Sequence, residues 1–316
     1  MKHHFTRREF LASSSLALLG AAVSGCATVE RAGQPEPIID IHQHTGYSGR
    51  TNEQLIAHQQ AMGVTQTIML PAGREVSRPS THNGKSNGLA AKAGGNQSCL
   101  ELARQYPGKF FFCANEVPDL PEAKEEVRKY LKLGALGVAE QKFHVECDSP
   151  AIEALAEVAR EFRVPMLLHF QHDTYNMHLE NFHKTLEKFP KVNFIGHAQT
   201  WWGNIDAKCD PKVMYPKGKV TPGGLTDRLL ADYPNMYGDL SAGSGLNAMT
   251  RDEEFTRGFM DRHQNKLLFG SDCSDAFGQG TGCSGAQMIA TVRRLAPSKK
   301  IERKLLCENA RKMFRL

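Results

Sequence analysis

The sequence has no CxxC pair among its 8 cysteines, and only 2 tryptophans in 316 residues. It also lacks a GxGxxG after its first apolar run and any GxxxxGK[ST]. Each absence removes a class of reading. Without CxxC spacing there is no four-cysteine zinc module, so a metal would have to be held by other side chains. Without either glycine-rich loop, dinucleotide and P-loop folds lose support. The net charge is only +5 and no basic stripe is present, so no nucleic-acid partner is expected. No apolar run is long enough for a confident membrane span. Cys99, Cys113, Cys147, Cys209, Cys273, Cys283 and Cys307 are scattered and odd in number, which reads as small buried residues and not as a disulfide framework.

What remains is ordinary globular material, 41% hydrophobic and 23% charged. The length would hold two average domains or one large α/β barrel. The first residues differ from the rest. MKHHFTRREFLASSSLALLGAAVSGC has a basic start, an apolar stretch from Leu16 to Val23 and then small residues. TRREFL resembles a twin-arginine export signal, and VSGC resembles a lipoprotein cleavage box that would leave Cys26 as the lipidated first residue; ordinary signal cleavage is the alternative. The expected organisation is a signal segment over 1–25, a linker over 26–36 and a single domain over 37–316, exported to the periplasm or cell envelope.

From residue 34 onward a short apolar run, a polar loop and a helical stretch recur. Eight strands are expected at 37–44, 64–71, 109–117, 135–143, 164–170, 192–198, 235–242 and 266–272. Most are near-continuous apolar runs, as in strands buried on both faces of a parallel sheet. Helices are expected between them, for example over 52–62, 98–106, 121–133, 151–162, 179–189, 225–231, 253–263 and 285–295, with one more at 299–313 packing outside. Eight such repeats predict a closed (β/α)8 TIM barrel, with a doubly wound open sheet as the alternative. The long connections at 71–97, 198–224 and 273–284 would then lie on the C-terminal face, where barrel sites are built.

His42 and His44 are two apart on a strand, so their side chains point the same way. Taken alone, the pair reads equally as hydrogen-bonded core histidines or as metal ligands. Strands five, six and eight, however, end in His169, His197 and Asp272, each after apolar residues. Several buried imidazoles and a carboxylate need a common partner, and a divalent cation is the simplest.

HxH on strand one, His on strands five and six and Asp on strand eight resemble the amidohydrolase superfamily, in particular the branch containing aminocarboxymuconate semialdehyde decarboxylase and small lactonases. The resemblance covers nearly all of the chain after residue 36. It implies His42, His44, His169 and Asp272 as metal ligands. His197 would be a second-metal ligand or a carbonyl-polarising acid/base group. On strand four it implies a bridging carboxylate, from Glu140 or from a carboxylated Lys142, with Glu140 favoured because it needs no modification. An ordinary ion pair between the two, or a substrate-binding Lys142, is the plain alternative.

The implied cofactor is one or two divalent ions, most simply Zn2+, and the implied chemistry is hydrolysis of an ester, lactone or amide in a small molecule, with Asp272 and His197 catalytic. Decarboxylation uses the same ligands. A reading of another class is an envelope lipoprotein that binds metal or ligand without turnover. Lys142, His144, Gln171, Trp201, Trp202 and Asp275 are weaker candidates for substrate contact, the two indoles serving equally well as loop anchors.

Overall fold

Apolar runs this continuous call for strands covered on both faces. The computed structural model, which describes residues 36–82 and 92–316, builds them. The strands are β1 (Ile39–Gln43), β2 (Gln66–Met69), β3 (Phe110–Phe112), β4 (Val138–Gln141), β5 (Met166–His169), β6 (Phe194–His197), β7 (Met236–Asp239) and β8 (Leu267–Leu268). All pairs are parallel and join sequence neighbours, in one sheet of order β1-β2-β3 and another of order β4-β5-β6-β7-β8. Two seams connect these sheets. Ala114 bridges to Val138, and Leu136 N–H donates to Phe112 O at 2.8 Å. On the other side Ile41 N–H donates to Phe269 O at 3.1 Å, and Asp272 N–H to His42 O at 2.8 Å. The architecture is a (β/α)8 barrel within the compact unit Pro37–Leu316.

The helices are α1 (Asn52–Ala61), α2 (Asn96–Gln105), α3 (Ala123–Lys132), α4 (Pro150–Phe162), α5 (Phe182–Lys188), α6 (Ala198–Gly203), α7 (Leu225–Asp232), α8 (Ala242–Thr250), α9 (Glu253–Arg262) and α10 (Ser284–Leu295). Local chemistry explains their ends. Thr51 and Gln54 form a capping box at α1. Ser149 accepts from Ile152 N–H before Pro150 opens α4, and Arg163 ends that helix in the left-handed region. The α4 face made by Ile152, Leu155, Ala156 and Ala159 is fully buried.

Four expectations are corrected. β3 and β8 are shorter than their apolar runs: Cys113, Ala114 and Phe269 keep only isolated backbone contacts, and from Asn115 and Ser271 the N–H groups turn to side chains, donating to Asn96 Oδ1 and Asp40 Oδ1 at 2.9 Å each. The connection at 198–224 begins as α6, whose six residues are too few to show a helical period. α8 was absent from the pattern because its two glycines depress helix propensity. The C-terminal segment is not a single outer helix. α11 (Lys299–Arg303), a π-helical stretch (Lys304–Glu308) and α12 (Asn309–Phe314) follow one another, and Cys307, Ala310 and Phe314 pack into the inner apolar cluster.

That inner cluster holds Ile39, Ile41, Ile68, Leu70, Cys113, Ala139, Leu167, Ile195 and Leu268, one or two from most strands. The rest of the core lies between strands and helices. Strict alternation from Ile39 and Ile41 would send His42 outward. The β1–β2 register shifts between Asp40 and Gln43, and the β4–β5 register shifts between Val138 and Gln141. Both irregularities fall where a ligand-type residue follows an inner apolar one, and they turn His42 and Glu140 to the centre.

Candidate metal centre

At the C-terminal ends of the strands, side chains from β1, β4, β5, β6 and the segment after β8 converge. His42 Nε2 and His44 Nε2 lie 3.4 and 3.7 Å from Glu140 Oε2, and 3.8 and 3.5 Å from Asp272 Oδ1. The other Glu140 oxygen, Oε1, is 2.6 Å from His169 Nδ1 and 3.8 Å from His197 Nε2. Asp272 Oδ2 is 3.6 Å from His197 Nε2. All six residues are buried or nearly so, Asp272 being the most open with a side chain 13% exposed.

The imidazoles are aimed from behind. His44 Nδ1 lies 2.7 Å from Leu70 O, and since a carbonyl only accepts, Nδ1 carries the proton and Nε2 faces the centre as a lone pair. Asp239, at the end of β7, lies 2.7 Å from His42 Nδ1 and 3.1 Å from His197 Nδ1, so one carboxylate orients two rings. Ser241 Oγ adds contacts of 2.7 Å to Asp239 and 3.0 Å to His197 Nδ1. Further back, Asp40 accepts from His42 N–H at 3.0 Å, Ser271 N–H at 2.9 Å and Gln59 Nε2 at 3.0 Å, tying β1 to the segment that carries Asp272. Asp272 itself sits at φ 39, a conformation that non-glycine residues adopt only when their surroundings impose it.

The electrostatics favour a cation. Burial opposes ionisation of Glu140, Asp239 and Asp272, yet the surrounding imidazoles, led by His42, outweigh it and hold all three below the usual carboxylate range, Asp239 at about 2. Against its burial, Asp272, Asp239 and Glu140 raise His42 in turn, so the positive charge they call for sits on that imidazole, where a divalent ion would take its place. Burial, helped by the charge of Lys142, lowers His169 to about 4 and keeps it neutral as a ligand must be. Two buried atoms at the centre, His42 Nε2 and Asp272 Oδ1, have no hydrogen-bond partner. Leaving such atoms bare costs about 1–3 kcal/mol each, and a divalent cation between them would remove that cost. The donor set of four imidazoles and two carboxylates fits a divalent ion of the zinc type.

The weaker candidates separate. Gln171 Oε1 is 3.2 Å from His169 Nε2, and the residue borders a cavity of about 400 Å³ shared with Thr174, Gln199, Lys212 and Met214. Half-buried Lys142 points its ammonium over the Tyr175 ring at 5.4 Å, with Glu140 engaged elsewhere. His144 is exposed on a neighbouring cavity of about 350 Å³ with His82 and Tyr175.

Trp201 and Trp202 are corrected from substrate wall to core. They are 0% and 1% exposed, Trp202 Nε1 donates to Asp239 O at 2.8 Å, and Trp201 packs on Gly196. Asp275 is also corrected. Its Oδ2 accepts from Phe277 and Gly278 N–H at 3.0 and 2.7 Å, and it groups with His58, Cys273 and Cys283 away from the centre.

Sequence reasoning missed Asp239, Ser241 and Tyr47. The signal for Asp239 was present, an acid at the end of an apolar strand like Asp272. Tyr47, in the turn after β1, packs its ring 4.9 Å from that of His44. The Asp272 charge and burial raise its phenol, so it stays a proton donor.

No curated protein matches the sequence significantly. Solved structures with similar folds include a putative 2-pyrone-4,6-dicarboxylic acid hydrolase from Pseudomonas putida, at TM-score 0.58 and 15% identity over 89% of this chain and 98% of that one. An uncharacterized TIM-barrel protein from Bordetella bronchiseptica superposes at TM-score 0.57 and 13% identity, covering 88% and 98%. The 2,6-dihydroxybenzoate decarboxylase from Rhizobium does so at 0.55 and 12%, covering 89% and 99%. At these identities the likeness establishes the fold. Membership comes from the sequence itself, whose residues 39–316 match the amidohydrolase family model, and the chain belongs to that family.

Proposed function

We propose that the chain is a metal-dependent hydrolase that cleaves an ester, lactone or amide bond of a small carboxylate-bearing molecule, using two divalent ions, zinc being the best match. The observation that carries this reading is the division of Glu140: Oε2 faces His42 and His44, while Oε1 faces His169 and His197. One carboxylate between two imidazole pairs is the arrangement of a bridging ligand.

Divalent ions bound there supply Lewis-acid polarisation of a carbonyl and an acidified water. The protein's own groups supply the rest. Asp272, with one oxygen bare and one near His197 Nε2, takes the proton of the attacking water and passes it to the leaving oxygen or nitrogen. His197, fixed through Nδ1 by Asp239 and Ser241, aims Nε2 toward Glu140 Oε1, where it would hold the second ion with His169. Tyr47 keeps its proton beside Asp272 and donates a hydrogen bond. Lys142 and Gln171 are assigned to hold a substrate carboxylate, which is supported by Gln171 Oε1 lying 3.2 Å from His169 Nε2 and by the carboxylic acids for which the hydrolase and decarboxylase among the similar structures are named.

Turnover of a panel of lactones, esters and N-acyl compounds, with and without a carboxylate, tests the reading in protein loaded with Zn2+ or Mn2+. Metal-dependent hydrolysis that prefers carboxylates is expected. Release of CO2 from an aromatic acid without hydrolysis would transfer the assignment to decarboxylation, and tight binding without turnover would favour a binding protein. Export through the segment 1–25 and lipid attachment at Cys26 are part of the proposal, supported by their sequence alone because they lie outside the described residues. Cell fractionation and the mass of the mature N-terminus test them.

A further inference from the structure

A second group of ligand-type side chains lies outside the centre. His58 on α1, Cys273 and Asp275 in the connection after β8, and Cys283 at the start of α10 place one ligand atom each within 4.8 Å of one another. Cys273 Sγ and Cys283 Sγ are 3.7 Å apart, and Cys283 Sγ is 3.4 Å from His58 Nε2. Tetrahedral zinc, with bonds of about 2.3 Å to sulfur and about 2.05 Å to nitrogen, sets these edges at about 3.8 and about 3.6 Å. We propose that His58, Cys273, Asp275 and Cys283 form a closed, thiolate-rich zinc site that staples the connection after β8 to α1.

The surroundings match that assignment. Cys283 Sγ accepts from Ala286 N–H at 3.3 Å in the first turn of α10, where a helix N-terminus favours a thiolate. Asp275 commits Oδ2 to two backbone N–H groups, which fixes its carboxylate and leaves Oδ1. His58 is fully buried, and its Nδ1 has only a long 3.4 Å contact with Gln59 Nε2. Met62 Sδ closes the other side, 3.6 Å from Cys283 Sγ. Two thiolates and a carboxylate against a divalent ion leave one negative charge. Arg50, 5% exposed, lies against the same segment, donating at 2.8 Å to both Cys273 O and Asp275 O.

The connection also lies close on the helix. Gly278, at φ +69, packs against the His58 carbonyl and Ala61, where any side chain would collide. CxxC spacing does not mark this site, because its cysteines are ten residues apart in sequence and its histidine is 225 residues from Cys283. Two soft and two harder ligands with no open position suit structural zinc. Because Cys273 follows Asp272 directly, the staple holds the segment that delivers Asp272 to the centre.

The test is cobalt substitution and metal analysis of the full chain. In the wild-type protein, and in a His42→Ala/His44→Ala variant whose centre is impaired, Co2+ should give thiolate-to-metal charge-transfer absorption in the near ultraviolet. Cys273→Ser/Cys283→Ser should lose that band and about one zinc per chain. The spectrum of the wild-type protein is informative even if the serine variant does not fold. Absence of the band in wild type, or a Cys273–Cys283 disulfide in peptide mass analysis of protein matured in its host, would overturn the site. Neither result bears on the centre, whose loading is followed separately in a Glu140→Gln variant.

Discussion

Asp239 Oδ2 lies 2.7 Å from His42 Nδ1, across 197 residues of sequence, with both side chains wholly buried. The pair fixes which nitrogen of His42 faces the centre, and the same carboxylate reaches His197. Asp239→Asn keeps the size of the side chain and removes the charge. We expect it to lower metal affinity or kcat/KM about 10- to 100-fold while leaving the far-ultraviolet circular dichroism unchanged. Competition for zinc against a chelator measures the first, and initial rates the second.

Asp272→Asn separates proton transfer from folding. Its carboxylate has a bare oxygen at the centre, and its backbone is held independently by the His42 carbonyl. Turnover should fall about 100- to 10,000-fold with little change in Tm. Activity within a few-fold of wild type would remove Asp272 from the proton-carrying role.

The floor of the site rests on an aromatic stack. Trp201 packs on Gly196 at one side and on Phe170 at a centroid distance of 6.2 Å. Gly196→Ala places a methyl group inside the indole and should destabilise the fold by about 1–3 kcal/mol, whereas Trp201→Ala should cost about 3–5 kcal/mol by opening a cavity. Denaturant unfolding monitored by circular dichroism gives both values. A loss below 1 kcal/mol for Trp201→Ala would mean that the indole is not part of the packed core.

Away from the site, Asp227 on α7 binds the end of α9, at 2.8 Å from Arg262 and 2.5 Å from His263. Burial opposes its charge, but the His263 and Arg262 contacts prevail and lower its pKa. A carboxyl lowered on folding stabilises fully above its unfolded value of about 3.9, and that contribution disappears as pH falls through the folded value. Asp227→Asn should therefore cost about 0.5–1 kcal/mol at pH 7, the ion pair being partly open to solvent, and the difference from wild type should shrink toward about pH 3. Paired unfolding curves at the two pH values check it, and a difference that grew on acidification would contradict the assignment.

Much of the barrel was legible because its signals are local. An apolar run followed by a polar loop and a capped helix needs only its own residues to be read, and parallel strands necessarily put their C-terminal ends on one face. His42, His44, His169, His197 and Asp272 follow from that rule, Glu140 came only from the family resemblance, and the structure brings the six side chains together. Their inward aim was less secure, since β1 and β4 reach it through register shifts that alternation does not foresee. Trp201 and Trp202 follow His197 closely and so looked like substrate contacts. α6 instead turns them into the core, where the absent side chain of Gly196 makes room.

The sequence by itself determined the order of strands and helices and the ligand types at the strand ends, because hydrophobic period and turn chemistry act over a few residues. Only the tertiary structure decided that Glu140 divides its oxygens between two imidazole pairs, and that Asp239 stands behind His42 and His197. It also drew Asp275 away from the centre to join His58, Cys273 and Cys283. These relationships depend on distances between side chains from separate strands and helices, which barrel closure fixes and no local pattern encodes.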